Sequence, residues 1–369
     1  MAQLCRAAVK IGIEQTEIRA FELPELGHDD GLLRIEASGV GGSDPEMYRK
    51  PKAAPCIMGH ENVGTVAALG PSAARRWGVR PGDRVALHEY LPCWHCHWCR
   101  QGDFRLCMEA DFFNVKDRFN TPRYGTSNAD IEPHLWGGFA DYMYLAPNAV
   151  IHRIPADMDA RQATMAVPLG NGVQWAVLDG GAGLGKTVLV FGPGQQGLSC
   201  ALAAKAAGAL TVIIAGQTRD RARLNLALRL GADIIVDVQQ EDLTGAVMAA
   251  TRGAGVDVVV DTTGDPDGSI AQQAIALSAK GAWLNLNGLG ASIPINEIKK
   301  RYLTVRAPRG HSYRAVQTAL DIIASNRWPI GDMCSHDFGL EGVHDAILAT
   351  AGRGVQDAIH VTVSPRNAD

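Results

Sequence analysis

Four of the eight cysteines, Cys93, Cys96, Cys99 and Cys107, stand at C-x2-C-x2-C-x7-C spacing. Four thiolates on one short loop reach the corners of a tetrahedron around Zn2+ without help from distant chain. A shell closed by four sulfurs leaves no open position for a substrate, so the metal expected here is structural. His95 and His97 are rival ligands in the same loop, but four cysteines suffice. The plainer alternative is free thiols, which would be open to oxidation on such a loop. Cys5, Cys56, Cys200 and Cys334 are scattered, as small buried hydrophobes would be, and do not form a disulfide framework.

The second stretch able to do chemistry is Val188–Leu198, VLVFGPGQQGL. Four apolar residues run into Gly192, Pro193, Gly194, Gln195, Gln196 and Gly197, and the small-residue run LSCALAAKAAGA follows. Strand, G-x-G-x-x-G turn and helix in that order make a dinucleotide site. Gly192 allows a sharp turn, Gly194 lets backbone approach a pyrophosphate, and Gly197 lets the helix pack close to the strand. The helix N-terminus offers unpaired N–H groups to the phosphates. Among 41 glycines the spacing alone would mean little; its place between a strand and a helix carries the inference.

The elements that must position these residues follow from pattern. Residues 1–160 are β-rich, with short alternating stretches (LLRIEASGV, NVGTVAAL, DRVALHEYL, FADYMYLAP) broken by Gly, Pro and Asp, as in a compact, partly open barrel. The polar loop from about Phe112 to Trp136 is long enough to be functional or to lie at an interface. A helical pattern from Ala160 leads into the glycine strand. Strands Thr211–Ala215, Asp233–Val236, Val256–Thr262 and Ala282–Asn287 then alternate with helices Arg219–Leu230, Leu243–Thr251 and Ser269–Leu277. That alternation predicts an α/β, doubly wound parallel sheet. Helix Tyr313–Asn326 and strand Ile359–Val363 close the chain, and this tail is expected to fold back onto the first domain.

With 369 residues, 46% hydrophobic, 20% charged and a net charge of −4, the chain has an ordinary globular composition. Nothing in it marks a nucleic-acid or membrane partner. The N-terminal stretch is interrupted by charges, unlike a signal peptide, so a cytoplasmic location is expected.

The four-cysteine lobe followed by a Rossmann unit resembles the zinc alcohol dehydrogenase branch of the medium-chain dehydrogenase/reductase superfamily. Its markers are Gly39–Asp44 (GVGGSD), Gly59–Gly64 (GHENVG), Pro81–Val85 (PGDRV), the cysteine lobe, GPGQQG and Asp257–Gly264 (DVVVDTTG). The resemblance implies a GroES-like catalytic domain over residues 1–170, with the structural zinc lobe at 88–112. A Rossmann domain would span 171–311, and a segment over 312–369 would return to the catalytic domain. It also implies an active site in the cleft between domains, a small-molecule substrate, and a homodimer or homotetramer.

The family's catalytic zinc is held by a Cys, a His and a third Cys or acidic residue. The first Cys position is Gly41 here, and the His position is His60, followed by Glu61. The third falls within AVPLGNGV, where Val167 and Asn171 occupy the candidate positions. Two of three ligands are missing, and one imidazole with one carboxylate makes a poor zinc site. Loss of the catalytic zinc is favoured over a rebuilt site. Without a Lewis acid, an unactivated alcohol is hard to oxidise, whereas hydride transfer to a polarised C=C or C=O group remains feasible.

The resemblance places Ser43 against the substrate oxygen and Glu46 near a proton-relay position, a role that requires burial to raise its pKa. His60 is the better acid, with Tyr48 a weaker one. An acidic residue is absent at the end of Thr211–Ala215, where Gly216 stands. Thr218, Arg219 and Arg221 could receive a 2′-phosphate, so NADP(H) is favoured over NAD(H). Asp220 is expected to cap the following helix. Trp136, Phe139 and Trp175 would either line an apolar cleft or be plain core. Two rivals to a zinc-free reductase stay open: an alcohol dehydrogenase with a rebuilt zinc site, and a nicotinamide-binding protein without turnover.

Overall fold

The computed structural model describes residues 4–51, 54–115, 121–288 and 293–365, so residues 116–120 of the long polar loop lie outside the description. The chain divides into two compact units, residues 1–167 with 334–369, and residues 168–333. The far boundary therefore differs from the sequence-based one at 311/312. Helix Tyr313–Ala324 belongs to the second unit, and the return to the first begins at Cys334. The helix stays because its apolar stripe, Ala315, Val316, Ala319, Leu320 and Ile323, is buried there. Val316 lies 3.0 Å from where a Cβ on Gly170 would stand, so glycine permits the close packing.

The first unit is built on two sheets. The larger runs in the order Cys334–Phe338, His360–Val363, Gly31–Gly39, Glu61–Leu69, Arg84–Leu87, Ile151–Arg153, with Tyr142–Leu145 also paired to Gly31–Gly39. The smaller consists of Gln15–Glu22, Leu4–Gly12 and Cys56–Ile57. Register decides what meets at the end of the central strand. Gly39 lies opposite Glu61 on one side and Thr362 on the other. The loop after Gly39, the GHE segment and His360 are therefore gathered at one end of the sheet.

All six strands of the second unit are parallel, in the order Ile234–Asp237, Thr211–Gly216, Thr187–Phe191, Val256–Asp261, Ser278–Asn285, Thr304–Arg306. Numbered along the chain from Thr187, the order is 3-2-1-4-5-6, that of a doubly wound dinucleotide fold. Thr187–Phe191 is buried throughout, as a strand covered on both faces must be. It ends at the topological switch point, where the Gly192 turn leads into helix Gln195–Ala206.

Several boundaries differ from expectation for local reasons. The approach from Ala160 comes in three pieces, Ala160–Thr164, Ala166–Gly172 and a π-helical segment, Val173–Leu178. The charged helix starts as a 3-10 turn, Thr218–Asp220, and continues as Arg221–Arg229. Asp220 makes no side-chain cap to Arg221–Arg229; it accepts the Gln217 N–H at 3.1 Å and caps the 3-10 turn. The fifth strand begins at Ser278, not Ala282, because Ser278 already pairs with Val256 ahead of an irregularity in the register. Trp136, Phe139 and Trp175 are all buried in their own units, with the Trp136 and Trp175 indole N–H groups bonded to the Ile131 and Gly310 carbonyls. Among the described residues, no helix is long and apolar enough to cross a membrane.

Candidate active site

His60 is the centre of the first unit's polar cluster. Its Nδ1 lies 3.3 Å from Oδ1 of the fully buried Asp44. The other Asp44 oxygen accepts the Gly41 N–H at 2.9 Å, which locks the carboxylate in place. On the far side of the ring, Nε2 is 2.5 Å from the point where a Cβ on Gly41 would stand. The absent side chain at 41 is thus the space that the imidazole fills.

Behind it, buried Glu61 crowds Gly39, whose Cβ would lie 2.8 Å from His360 Cε1 and closer still to the Glu61 carboxylate. His360 places Nδ1 3.8 Å from Glu61 Oε2 and Nε2 2.6 Å from the Thr164 hydroxyl. Burial drives the His360 pKa down to about 3, so this ring is neutral. Burial is also the largest influence on His60 and acts in the same direction. Asp44, Glu61 and Glu89 together outweigh it and hold that imidazole up at about 9. At neutral pH His60 is a cation with a proton to give.

The other acid candidates do not join it. Ser43 is exposed and leads into helix Asp44–Arg49 without a side-chain cap. Glu46 is exposed on that helix and paired with Lys50, so the burial its relay role required is not present. Tyr48 is a core residue whose hydroxyl meets His344 Nδ1 at 2.8 Å and Thr16, and burial raises its pKa. At the third zinc position, Val167 is buried and apolar. Asn171, in the second unit, accepts at Oδ1 from His311 Nδ1 over 3.0 Å. Among the described residues, no metal-sized group of His, Cys, Asp and Glu includes His60. The residues at the family's catalytic-zinc positions do not fit that ion.

The cysteine lobe does fit one. The ligand atoms of Cys93, Cys96, Cys99 and Cys107 lie within 4.8 Å of one another. The Cys93 and Cys99 sulfurs are 3.9 Å apart, against about 3.8 Å along the edge of a regular ZnS4 tetrahedron. Burial opposes ionisation of Cys96, but the N–H groups of Met108 and Cys99, with hydrogen bonds from the Cys99 and Cys93 thiols, outweigh it and bring the thiol down to about 6. His95 binds Glu109 at 2.8 Å and belongs with Cys93 and Glu109 to a second, more exposed grouping, while His97 stacks edge-on against Trp98.

In the second unit the glycine turn has the shape its spacing implies. Gly192 has φ +89°, and a Cβ on Gly197 would lie 1.7 Å from the Gly192 carbonyl oxygen. Above Gly194 a Cβ would meet nothing within 4 Å, leaving room for a pyrophosphate. Gln195 opens the helix, and the Gln196 amide donates to the Pro168 carbonyl at 3.3 Å. Pro193 explains Gly216, since a Cβ at 216 would lie 2.7 Å from Pro193 Cγ, leaving no room for an acidic side chain. Thr218, expected as a phosphate donor, gives its hydroxyl proton to buried Asp237 at 3.1 Å. Arg219 and Arg221 are exposed and make no ion pair among the described residues.

Asp44, Glu89 and His360 around His60 and Glu61, and in the second unit Asp237 against Thr218 and His311 against Asn171, are neighbours that the sequence reading did not single out. Asp44 was within reach, being part of the GVGGSD motif beside Gly41; the others come close only through the fold.

A 3-2-1-4-5-6 sheet with an intact glycine turn, in a chain that also carries a four-cysteine lobe and an imidazole held against buried Asp44, has the features of a two-domain, dinucleotide-binding dehydrogenase. Comparison with known proteins is consistent with this. The alcohol dehydrogenase GroES-like domain matches residues 27–156, and the zinc-binding dehydrogenase domain matches residues 197–325. A Mycobacterium tuberculosis protein named as a probable alcohol dehydrogenase is 38% identical over 98% of both chains. The erythritol/L-threitol dehydrogenase of Mycolicibacterium smegmatis is 28% identical over 98% of this chain and 97% of its own. A Sinorhizobium meliloti structure bound to NADP superposes with TM-score 0.82 at 26% identity, covering 98% of this chain and 100% of that one. The chain belongs to the zinc-type medium-chain dehydrogenase/reductase superfamily and is an oxidoreductase.

Proposed function

We propose that the protein transfers hydride from a reduced nicotinamide to a polarised C=C or C=O group of a small molecule, without a catalytic zinc. The observation that carries this reading is the His60 ring, seated in the space left by Gly41 and held charged against Asp44. When bound, the cofactor supplies the hydride. The GPGQQG turn binds its pyrophosphate through helix N–H groups and so orients it. His60 Nε2 gives its proton to the oxygen or carbon where negative charge develops, and Asp44 keeps the ring oriented and stabilises its charge. Hydride and proton together complete a two-electron reduction. Metal analysis and turnover test this together. The expected result is one zinc per chain, with NADPH oxidation by activated enones or aldehydes. Two zincs per chain would support an alcohol dehydrogenase with a rebuilt site, and tight cofactor binding with no turnover a non-catalytic role.

NADP(H) is the favoured cofactor in this reading, because Gly216 and Pro193 leave no acid against a 2′-phosphate and Arg219, exposed three residues further on, makes no ion pair among the described residues. The Thr218–Asp237 bond favours a second reading, in which Thr218 accepts from a ribose 2′-OH and the cofactor is NAD(H). Fluorescence titration separates them. Tighter binding of NADPH than NADH, with at least about tenfold loss for NADPH in Arg219→Gln, supports the first. The reverse preference, insensitive to Arg219, supports the second. The reading also includes a cytoplasmic homodimer or homotetramer, checked by light scattering.

A further inference from the structure

The glycine turn is held from the neighbouring strand by a residue outside the motif. Thr262 follows strand Val256–Asp261, which runs parallel to Thr187–Phe191 and sets Asp261 opposite Phe191. The Thr262 N–H continues that pairing, donating to the Phe191 carbonyl at 3.0 Å. Its hydroxyl lies 2.8 Å from the same oxygen and 3.0 Å from the Gly192 carbonyl oxygen, with its one proton shared between them. Thr262 Oγ1 also stands 2.9 Å from where a Cβ on Gly197 would be, beside the first turn of helix Gln195–Ala206. Its neighbour Thr263 is fixed by buried Asp261, whose Oδ1 accepts the Thr263 N–H at 2.8 Å and the Thr263 hydroxyl at 2.6 Å.

The Gly192 carbonyl is a liability for anion binding in this turn. It belongs to the Gly192–Pro193 peptide, and proline has no N–H. That peptide offers a phosphate no donor, only an acceptor oxygen that would repel it. Above Gly194, on the open side, nothing lies within 4 Å of the Cβ position, so the Gly192 oxygen is not turned there. It lies instead 1.7 Å from the Gly197 Cβ position, between helix and strand, where the Thr262 hydroxyl meets it. The Pro193 ring is fixed in its turn, with Cγ 2.7 Å from where a Cβ on Gly216 would stand. A threonine needed only for the sheet ladder would serve with its N–H alone.

We propose that Thr262 is a positioning residue for the cofactor: its hydroxyl keeps the Gly192 carbonyl turned away from the diphosphate. This rests on the reading of GPGQQG as the nicotinamide dinucleotide site. The helix N–H groups attract the phosphates, and Thr262 keeps an opposing dipole out of the same space. The role belongs to the hydroxyl and not to the methyl group, because the hydroxyl reaches both carbonyls.

The test is fluorescence titration of the full-length protein with NADPH and NADH, and with ADP in competition, alongside thermal melts. Thr262→Val keeps the shape and loses the hydroxyl. It is expected to weaken whichever nucleotide the wild type prefers by about tenfold. ADP, which carries the diphosphate without the nicotinamide, should weaken by a similar factor. Thr262→Ser keeps the hydroxyl and loses the methyl, and should bind within about twofold of wild type. A packing role predicts the reverse order, because Thr262→Ser opens a gap and Thr262→Val does not. Binding in Thr262→Ser as weak as in Thr262→Val would overturn the proposal. So would unchanged affinity in Thr262→Val, or an ADP affinity that it leaves untouched. If Thr262→Val does not fold, Thr262→Cys puts a weak S–H donor in place of the hydroxyl. Weaker binding there than in Thr262→Ser supports the proposal, and equal binding overturns it. The underlying site reading fails separately, if the wild-type protein binds neither nucleotide.

Discussion

At His60 a glycine acts by what it lacks. The ring occupies the volume where a Cβ on Gly41 would be, with Asp44 against its Nδ1 and a Glu61 oxygen 3.4 Å from that same Cβ point. Because its pKa is held up at about 9, the proton-donating form dominates below that value and is lost above it. The rate of reduction is therefore expected to fall as pH rises through about 9, and His60→Gln to cost about 10²–10⁴ in kcat, by steady-state NADPH oxidation. Gly41→Cys would restore a ligand type but drive a side chain into the ring. We expect it to destabilise the protein by about 1–3 kcal/mol in thermal melts, with zinc content unchanged by metal analysis. Much at this scale was legible. The nomination of His60 and Glu61 and the loss of side chain at 41 followed from the motif alone. Glu46 was not legible, since its exposure and pairing with Lys50 depend on which helix face meets water.

Strand, turn and helix around Gly192 were the most readable element, because every part of their geometry is set by neighbours in sequence. The two glycines should nonetheless respond differently. Gly197→Ala forces a Cβ to 1.7 Å from the Gly192 oxygen and is expected to unfold or grossly distort the turn. Gly194→Ala meets only open space. It should leave the melting temperature near wild type while weakening nicotinamide binding by about tenfold or more, measured by fluorescence titration. In the cysteine lobe, Cys107→Ser is expected to remove one zinc per chain and lower the melting temperature. Its four-residue spacing was legible for the same local reason. The helix start near Arg219 was less so, since the Gln217–Asp220 capping box competes with the continuous helix that composition suggests.

For the whole molecule, two histidines, His360 fully buried and His60 with 12% of its side chain exposed, pull stability in opposite directions. His60 binds its proton more tightly folded than unfolded, so its contribution is complete below about 6.5 and disappears as pH rises to about 9, on the order of 3 kcal/mol. His360 is kept neutral, so the unfolded chain binds the proton first. Stability therefore falls as pH drops from about 6.5 toward about 3, by up to roughly 5 kcal/mol. Melting across this range should show a maximum near neutrality. His60→Gln should flatten the alkaline side, and His360→Asn the acid side. The path of the chain's end was only partly legible. Strand His360–Val363 pairs with Gly31–Gly39, more than 300 residues earlier in sequence, while Tyr313–Ala324 stays with the second unit.

What the sequence determined by itself were features set by short spacings: the glycine turn, the cysteine lobe, the alternation of strands and helices, and the absence of two zinc ligands. These depend on atoms within a few residues of one another, where backbone geometry leaves few choices. Only the tertiary structure decided what surrounds the residues at those positions. Asp44 against His60, His360 against Glu61, Glu89 in the grip of Arg123 and Pro193 over Gly216 are juxtapositions made by sheet register and loop packing. The charge on His60 depends on how Asp44, Glu61 and Glu89 together outweigh the cost of its burial.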